Sequence, residues 1–220
     1  ILGLNESFKS DANPKKVNLG VGAYRDGDGH PHVLPSVRTA EQRVNSKEMD
    51  HEYAGIAGVQ EYIDASIEFA YGSDSLPLLE KRIAAIQTLS GTGACRIVGE
   101  FVKRFHGDGT KIFVPSPTWG NHINIFKDSD LLPEYYSYYD KKNNSVDFEN
   151  LVKDIESADN GSVFLLHACA HNPTGCDLTN SQWDILSKIM KEKSHVVFFD
   201  CAYQGFASGD SEVDAYGIRK

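Results

Sequence analysis

Residues 198–206 read FFDCAYQGF, and Asp200 closes the apolar run HVVFFD. A carboxylate at the carboxyl end of a buried strand is costly unless a cation or a hydrogen-bond donor meets it. A bound heterocycle with a protonated ring nitrogen is such a partner. The carboxylate would hold the proton on that nitrogen and keep the ring an electron sink. Tyr203, three residues on, is spaced to hydrogen-bond the edge of the same ring. The competing reading is an aspartate that caps a helix or pairs with a loop cation, and taken alone this motif favours it.

Three further stretches carry chemistry. In LSGTGACRI, residues 89–97, Gly91 and Gly93 let the backbone approach a ligand while Ser90 and Thr92 add hydroxyls. The helix expected after SGTGA would turn its positive end toward the loop, which suits a phosphate. The stretch lacks the Walker G-K-[ST], and Arg96 stands where a G-x-G-x-x-G would have its third glycine, so a plain flexible turn is the alternative. In SPTWGNH, Trp119 follows a strand end, where an indole can stack on a planar ligand, and His122 can stand behind a carboxylate. In HACAHNPTG, a strand period of two would put His167, Cys169 and His171 on one face as H-x-C-x-H. That set makes a poor metal site: same-face positions of one strand rarely wrap a tetrahedral ion, and no fourth ligand recurs nearby. Pro173 ends strand pairing and leaves the Asn172 amide at the edge of the sheet, free to donate to and accept from a ligand.

The elements that must position these residues are legible too. KIFVPSP (111–117), SVFLLHACA (162–170) and HVVFFD (195–200) read as strands covered on both faces, because their apolarity is continuous. Between the last two, Thr179 and Gln182 are spaced as a capping box, and Trp183, Leu186, Ile189 and Met190 share one helical face. A second helix is expected from Asp147. A third should carry Ala94, Ile97, Val98, Phe101, Val102 and Phe105 as an apolar stripe toward the core. Helices alternating with buried strands imply a mainly parallel α/β sheet whose ligand site lies at the carboxyl ends of the strands. RDGDGHPH (25–32) and DKKNNS (140–145) read as surface loops, and there is no internal repeat.

Composition narrows the class of partner. The chain has 220 residues, 40% of them hydrophobic and 24% charged, as expected of a globular domain with a sizeable core. A formal charge of -9 without a long basic block argues against a nucleic-acid partner and for a small molecule. No apolar run is long enough to predict a membrane span. Cys95, Cys169, Cys176 and Cys201 show no C-x-x-C spacing, which points to a reducing compartment, where the sequons at Asn143 and Asn160 carry no weight. The absence of an initiator Met and the unpunctuated end DAYGIRK suggest part of a longer polypeptide.

Taken together, VNLGVGAYRD, LPSVRTAEQR, HEYAGIAG, LSGTGACRI, SPTWGNH, LHACAHNPTG and FFDCAYQGFASGD resemble, in order and over nearly the whole chain, the class I pyridoxal-phosphate-dependent aminotransferases, in their aspartate-selective branch. The resemblance implies the large domain of pyridoxal-phosphate fold type I over residues 31–220, incomplete at its C-terminus, with residues 1–30 belonging to a smaller domain. It implies that Ser90, Gly91 and Thr92 hold the cofactor phosphate, that Trp119 stacks on the ring and that Asp200 faces the pyridinium nitrogen. Asn172 and Tyr203 would hydrogen-bond the phenolic oxygen. Gly22, Trp119 and Asn172 would hold the substrate α-carboxylate, with His122 and His167 behind Asp200. Tyr53 would reach the phosphate of a neighbouring subunit, which implies a homodimer with shared sites. No metal is expected, and neither a nucleic acid nor a membrane is an expected partner. The reaction implied exchanges an amino group between aspartate and 2-oxoglutarate to give oxaloacetate and glutamate. The family's cofactor-bearing lysine and its two substrate arginines fall beyond Lys220, so the activity is expected of a longer parent and not of these residues alone. A short non-catalytic cofactor-binding module and an aromatic-selective enzyme of the same class are the alternatives. The forms LSGTGA and WGNH resemble mitochondrial relatives more than cytoplasmic ones.

Overall fold

Alternating apolar strands and amphipathic helices fold, in a computed structural model that describes residues 2–18, 20 and 22–220, into two units with the division after Tyr53. The first, Ile1–Tyr53, contains α1 (Leu2–Ser10) and α2 (Pro35–Ser46). Pro35 starts α2 in the first turn, where its missing N–H costs nothing. Between the helices Asp26 turns RDGDGHPH back on itself, its Oδ1 accepting the amides of Asp28 (3.0 Å) and His30 (2.9 Å). The domain boundary expected after residue 30 falls inside this unit.

The second unit, Ala54–Lys220, contains α3 (Gln60–Tyr71), α4 (Leu76–Leu79), α5 (Ser90–His106), β1 (Lys111–Ser116), α6 (Gly120–Asp128) and β2 (Leu132–Ser137). A small antiparallel pair, β3 (Tyr139–Asp140) and β4 (Ser145–Val146), precedes α7 (Phe148–Ser157). Then come β5 (Val163–His167), α8 (Asn180–Glu192), β6 (Val196–Asp200) and α9 (Ser211–Asp214). The main sheet has the order β2-β1-β5-β6, all parallel. From β1 the chain steps outward to β2 and then returns across β1 to β5, so the strand order reverses between β1 and β5. That reversal opens a crevice at their carboxyl ends.

Alternate residues of the central strands feed two cores. Ile112, Val114, Val163 and Leu165 pack with Val102 of α5 and Phe126 of α6, while Phe164 and Leu166 pack with α7 and α8 through Leu151, Ile155, Trp183 and Leu186. This is the α/β architecture expected, with helices on both faces. α7 begins where Asp147 accepts the Asn150 amide, and α8 begins in the full Thr179–Gln182 capping box.

Four expectations need correction. β5 ends at His167, not Ala170: Ala168 still donates to the Asp200 carbonyl (3.0 Å), but the Asp177 carboxylate then takes the amides of Ala170 (2.6 Å) and His171 (2.8 Å) and bends the chain away. Cys169 and His171 therefore share no strand face with His167. β6 is only partly buried, since among the described residues no strand lies beyond it. Helix α5 starts at Ser90, so Ser90, Gly91 and Thr92 are its first turn and not a loop before it. Its buried face is Cys95, Gly99 and Val102, while Ile97, Phe101 and Phe105 face outward, at 44%, 58% and 66% exposure. Gly99 sets that rotation: a Cβ there would come within 2.5 Å of Ser129 Oγ, so the glycine face is the one pressed against α6.

Candidate active site

The carboxyl ends of β1, β5 and β6 bring together Thr118, Trp119, His122, His167, Asn172 and Asp200. Register places His167 directly opposite Asp200. Trp119 is the N-cap residue of α6, and its ring meets His122 edge-on at 5.2 Å and 87°. His122 is fully buried, with Phe126 stacked on its other side.

A hydrogen-bonded chain links these groups, and one backbone amide fixes its direction. The Asn172 N–H donates to His167 Nδ1 (3.1 Å), so that nitrogen must be unprotonated. Burial holds the His167 imidazole neutral by lowering its pKa to about 4, which leaves its single proton on Nε2. Nε2 lies 3.4 Å from Thr118 Oγ1, which as an acceptor there turns its own proton toward His122 Nδ1 at 2.8 Å. His122 therefore carries its proton on Nε2 and donates it to Asp200 Oδ2 at 3.1 Å. Burial pushes the Asp200 carboxyl up, but the His122 hydrogen bond, with the electrostatic influence of His122 and His167, outweighs it, and the net direction is below the ordinary carboxylate value. The relay thus holds an ionised carboxylate in a fixed pose by one oxygen. The side chain keeps an exposed fraction of 23%, through which a ligand can reach it.

Thr118 is the member that reading the sequence missed. Its only signal was its place four residues before His122. His171 takes no part: its Nδ1 meets Thr174 Oγ1 at 2.8 Å and its ring is stacked between Tyr138 (4.0 Å) and His167 (4.3 Å). The H-x-C-x-H set therefore does not converge on an ion. Ligand atoms of His122, His167 and Asp200 do lie within 4.8 Å of one another, but each is already committed in the relay.

The remaining predicted residues fall in three places. Tyr203 is 38% exposed on the loop after β6. In the second turn of α5, burial and then the Asp200 charge raise the Cys95 thiol to about 12. The first turn of that helix is open: Leu89 offers no side-chain cap, and the amides of Gly91 and Thr92 meet no acceptor among the described residues. Gly22 and Tyr53 belong to the first unit, where Gly22 is exposed and Tyr53 is 96% exposed.

A family described as aminotransferase class I and II matches residues 14–219. A mitochondrial aspartate aminotransferase of Arabidopsis thaliana is 51% identical over 219 residues, covering 100% of this chain and 50% of the relative. The solved aspartate aminotransferase from Saccharomyces cerevisiae cytoplasm superposes with a TM-score of 0.92 at 40% identity, over 99% of this chain and 53% of that one. An aromatic-amino-acid aminotransferase from Burkholderia pseudomallei, solved covalently bound to pyridoxal phosphate, gives 0.93 at 37% identity, over 99% and 54%. The chain spans about half the length of the curated relatives it matches.

Proposed function

The chain belongs to the class I and II aminotransferases, and from that premise we propose that its parent exchanges an amino group between L-aspartate and 2-oxoglutarate, with pyridoxal phosphate held at the carboxyl edge of the sheet. The carrying observation is the relay that ends on Asp200: a half-buried, ionised carboxylate with one oxygen tied to His122 and part of its side chain still exposed to a ligand. When bound, the cofactor supplies a ring that takes up the electron pair left by the substrate's α-proton.

Each residue's part follows from its chemistry. Asp200 accepts the ring N–H and keeps the proton there, and His122 and His167 hold Asp200 in place. Trp119 lies over the ring, and Asn172 and Tyr203 donate to its phenolic oxygen. Among the described residues nothing in the chain takes up the Asn172 side-chain amide, as suits a group reserved for a ligand. Ser90, Gly91 and Thr92 hold the phosphate at the positive end of α5. Gly22, Trp119 and Asn172 receive the substrate α-carboxylate. Tyr53 reaches the phosphate of a second subunit, which makes the parent a homodimer with shared sites, and its exposure suits a contact outside its own chain. The lysine and arginines that complete the site belong to the rest of the parent.

The Burkholderia pseudomallei relative supports a second reading, selectivity for aromatic amino acids, but at 37% identity against 51% for the Arabidopsis thaliana one. Mitochondrial and cytoplasmic relatives both match, and the LSGTGA and WGNH forms favour the mitochondrial compartment. Steady-state assay of the parent decides between the substrates: kcat/KM should be higher for aspartate than for phenylalanine or tyrosine, and the reverse order would overturn the aspartate reading. Tyr53→Phe in the parent should weaken cofactor retention by roughly ten- to a hundredfold, the scale of one hydrogen bond to a charged acceptor. Unchanged retention removes Tyr53 from this role.

A further inference from the structure

His171 stands outside the hydrogen-bonded relay but lies against it. The two hydrogen bonds that reach His167 are long, 3.1 Å at Nδ1 and 3.4 Å at Nε2, so they choose which neighbour each nitrogen faces without holding the ring tightly in one plane. The plane needs a further hold. The His171 imidazole covers the His167 ring with centroids 4.3 Å apart and 27° between the planes, while His122 meets the same ring edge-on at 5.4 Å and 79°. His171 is itself pinned. On its other side the Tyr138 ring stacks at 4.0 Å and 15°, and its Nδ1 meets Thr174 Oγ1 at 2.8 Å. Both anchors are tied to Cys176: the Tyr138 hydroxyl donates to the Cys176 carbonyl (2.6 Å), and the Cys176 amide donates to Thr174 Oγ1 (3.2 Å). His171 is only 1% exposed, and its Nε2 meets no partner among the described residues. A buried nitrogen without a partner is unfavourable, and a phenyl ring would not have one. What the imidazole adds over a phenyl is its Nδ1, which fixes the ring to Thr174. Burial keeps both imidazoles neutral at neutral pH, so no like charge opposes their stacking.

We propose that His171 is a positioning residue for the relay, a pinned aromatic wall that holds the His167 ring in the plane from which Nδ1 faces the Asn172 amide and Nε2 faces Thr118. It acts on Asp200 only through His167, Thr118 and His122. Without a flat wall the His167 ring swings, and its Nε2–H leaves Thr118 Oγ1. The Thr118 hydroxyl is then free to turn away from His122 Nδ1, and His122 no longer has to carry its proton on Nε2. Asp200 thereby loses its fixed donor.

Histidine-selective ¹⁵N NMR of the cofactor-free protein tests the wall. In the wild type, His167 and His122 should each show a single neutral tautomer, protonated at Nε2. His171→Leu fills the space without a flat face, and the ¹⁵N shifts of both residues should move toward the average of the two tautomers, with their Nε2–H signals lost to solvent exchange. His171→Phe restores the face and should restore both single-tautomer patterns. The backbone amide shifts of α8 should stay in place in both variants. Retention of both tautomers in His171→Leu would overturn the proposal, as would a His171→Phe variant that loses them as fully as His171→Leu. Movement of the α8 amides together with the histidine signals would also overturn it, because it would show general loosening of the core. Thr174→Val keeps the ring and removes its pin, so it covers the case in which His171→Leu does not fold. There the His167 Nε2–H should exchange with solvent faster than in the wild type, and unchanged exchange would overturn the proposal. None of these readouts needs a bound cofactor, so their outcome is separate from that of the proposed transamination.

Discussion

Two helices of the second unit begin in opposite ways. At the start of α8, Thr179 Oγ1 accepts the Gln182 amide (3.3 Å) while Gln182 Oε1 accepts the Thr179 amide (2.9 Å), so the end is closed by its own side chains. At the start of α5, Leu89 has nothing to offer, Ser90 is held at φ +59, and the first-turn amides of Gly91 and Thr92 stay open. Both helices carry the same partial positive charge at that end. The closed one is finished by the chain itself. The open one carries Cys95 in its next turn, where the thiol senses the Asp200 charge. A helix end left uncapped beside a relayed carboxylate is what a ligand with both a phosphate and a protonated ring would use, whereas α8 needs no ligand.

The variants that sharpen or break this contrast run from large effects to small. Asp200→Ala in the parent should lower transamination by roughly a hundredfold or more, the scale of removing a preorganised electrostatic partner. Near-normal rates would detach Asp200 from the site. Thr118→Val leaves His167 Nε2–H and His122 Nδ1 without partners, so urea unfolding should show a loss of roughly 1–3 kcal/mol, with Thr118→Ser recovering most of it. Equal stability of all three proteins would mean that the relay is not formed. Ser90→Ala should weaken phosphate-bearing ligands by about tenfold at the open end of α5, with little change in stability. Thr179→Ala should do the converse, costing about 1 kcal/mol of stability at the closed end and leaving ligand affinity alone. If the two variants exchanged phenotypes, the contrast between the helix starts would be lost.

Acid provides a further test. Burial lowers the His167 pKa to about 4 and, with the His167 charge, the His171 pKa to about 3, from 6.5 for the unfolded group. Between those values the unfolded chain binds more protons than the folded one, so stability falls as pH drops below 6.5 and this contribution is spent by about pH 3. Replacing His171 by Asn should remove its share of that slope over the whole window from pH 6.5 to about 3, as read from denaturant midpoints against pH.

How much of this was legible in the sequence depended on how local each signal was. The α8 capping box, the start of α7 near Asp147 and the β5-α8-β6 unit were readable, because their signals lie within a few residues or within one strand period. The end of β5 was misread because the residue that bends the chain, Asp177, acts across six and seven residues of turn. The α5 stripe was misread because periodicity identifies an apolar face without saying which way it turns, and Gly99 rather than Phe101 meets α6. Asp200 and His122 were found as candidates, but their hydrogen bond spans 78 residues and Thr118 joins them only after three strand ends converge. Chemistry by residue type was visible, and proton direction needed the fold.

The central claim is that Asp200 holds a proton on the ring nitrogen of pyridoxal phosphate, and it is most directly tested by ¹⁵N NMR of the parent loaded with cofactor labelled at that nitrogen. The account predicts a protonated ring nitrogen in the wild-type protein at neutral to mildly alkaline pH, and a deprotonated one in Asp200→Ala. An unprotonated nitrogen in the wild type, or the same resonance in both proteins, would contradict it.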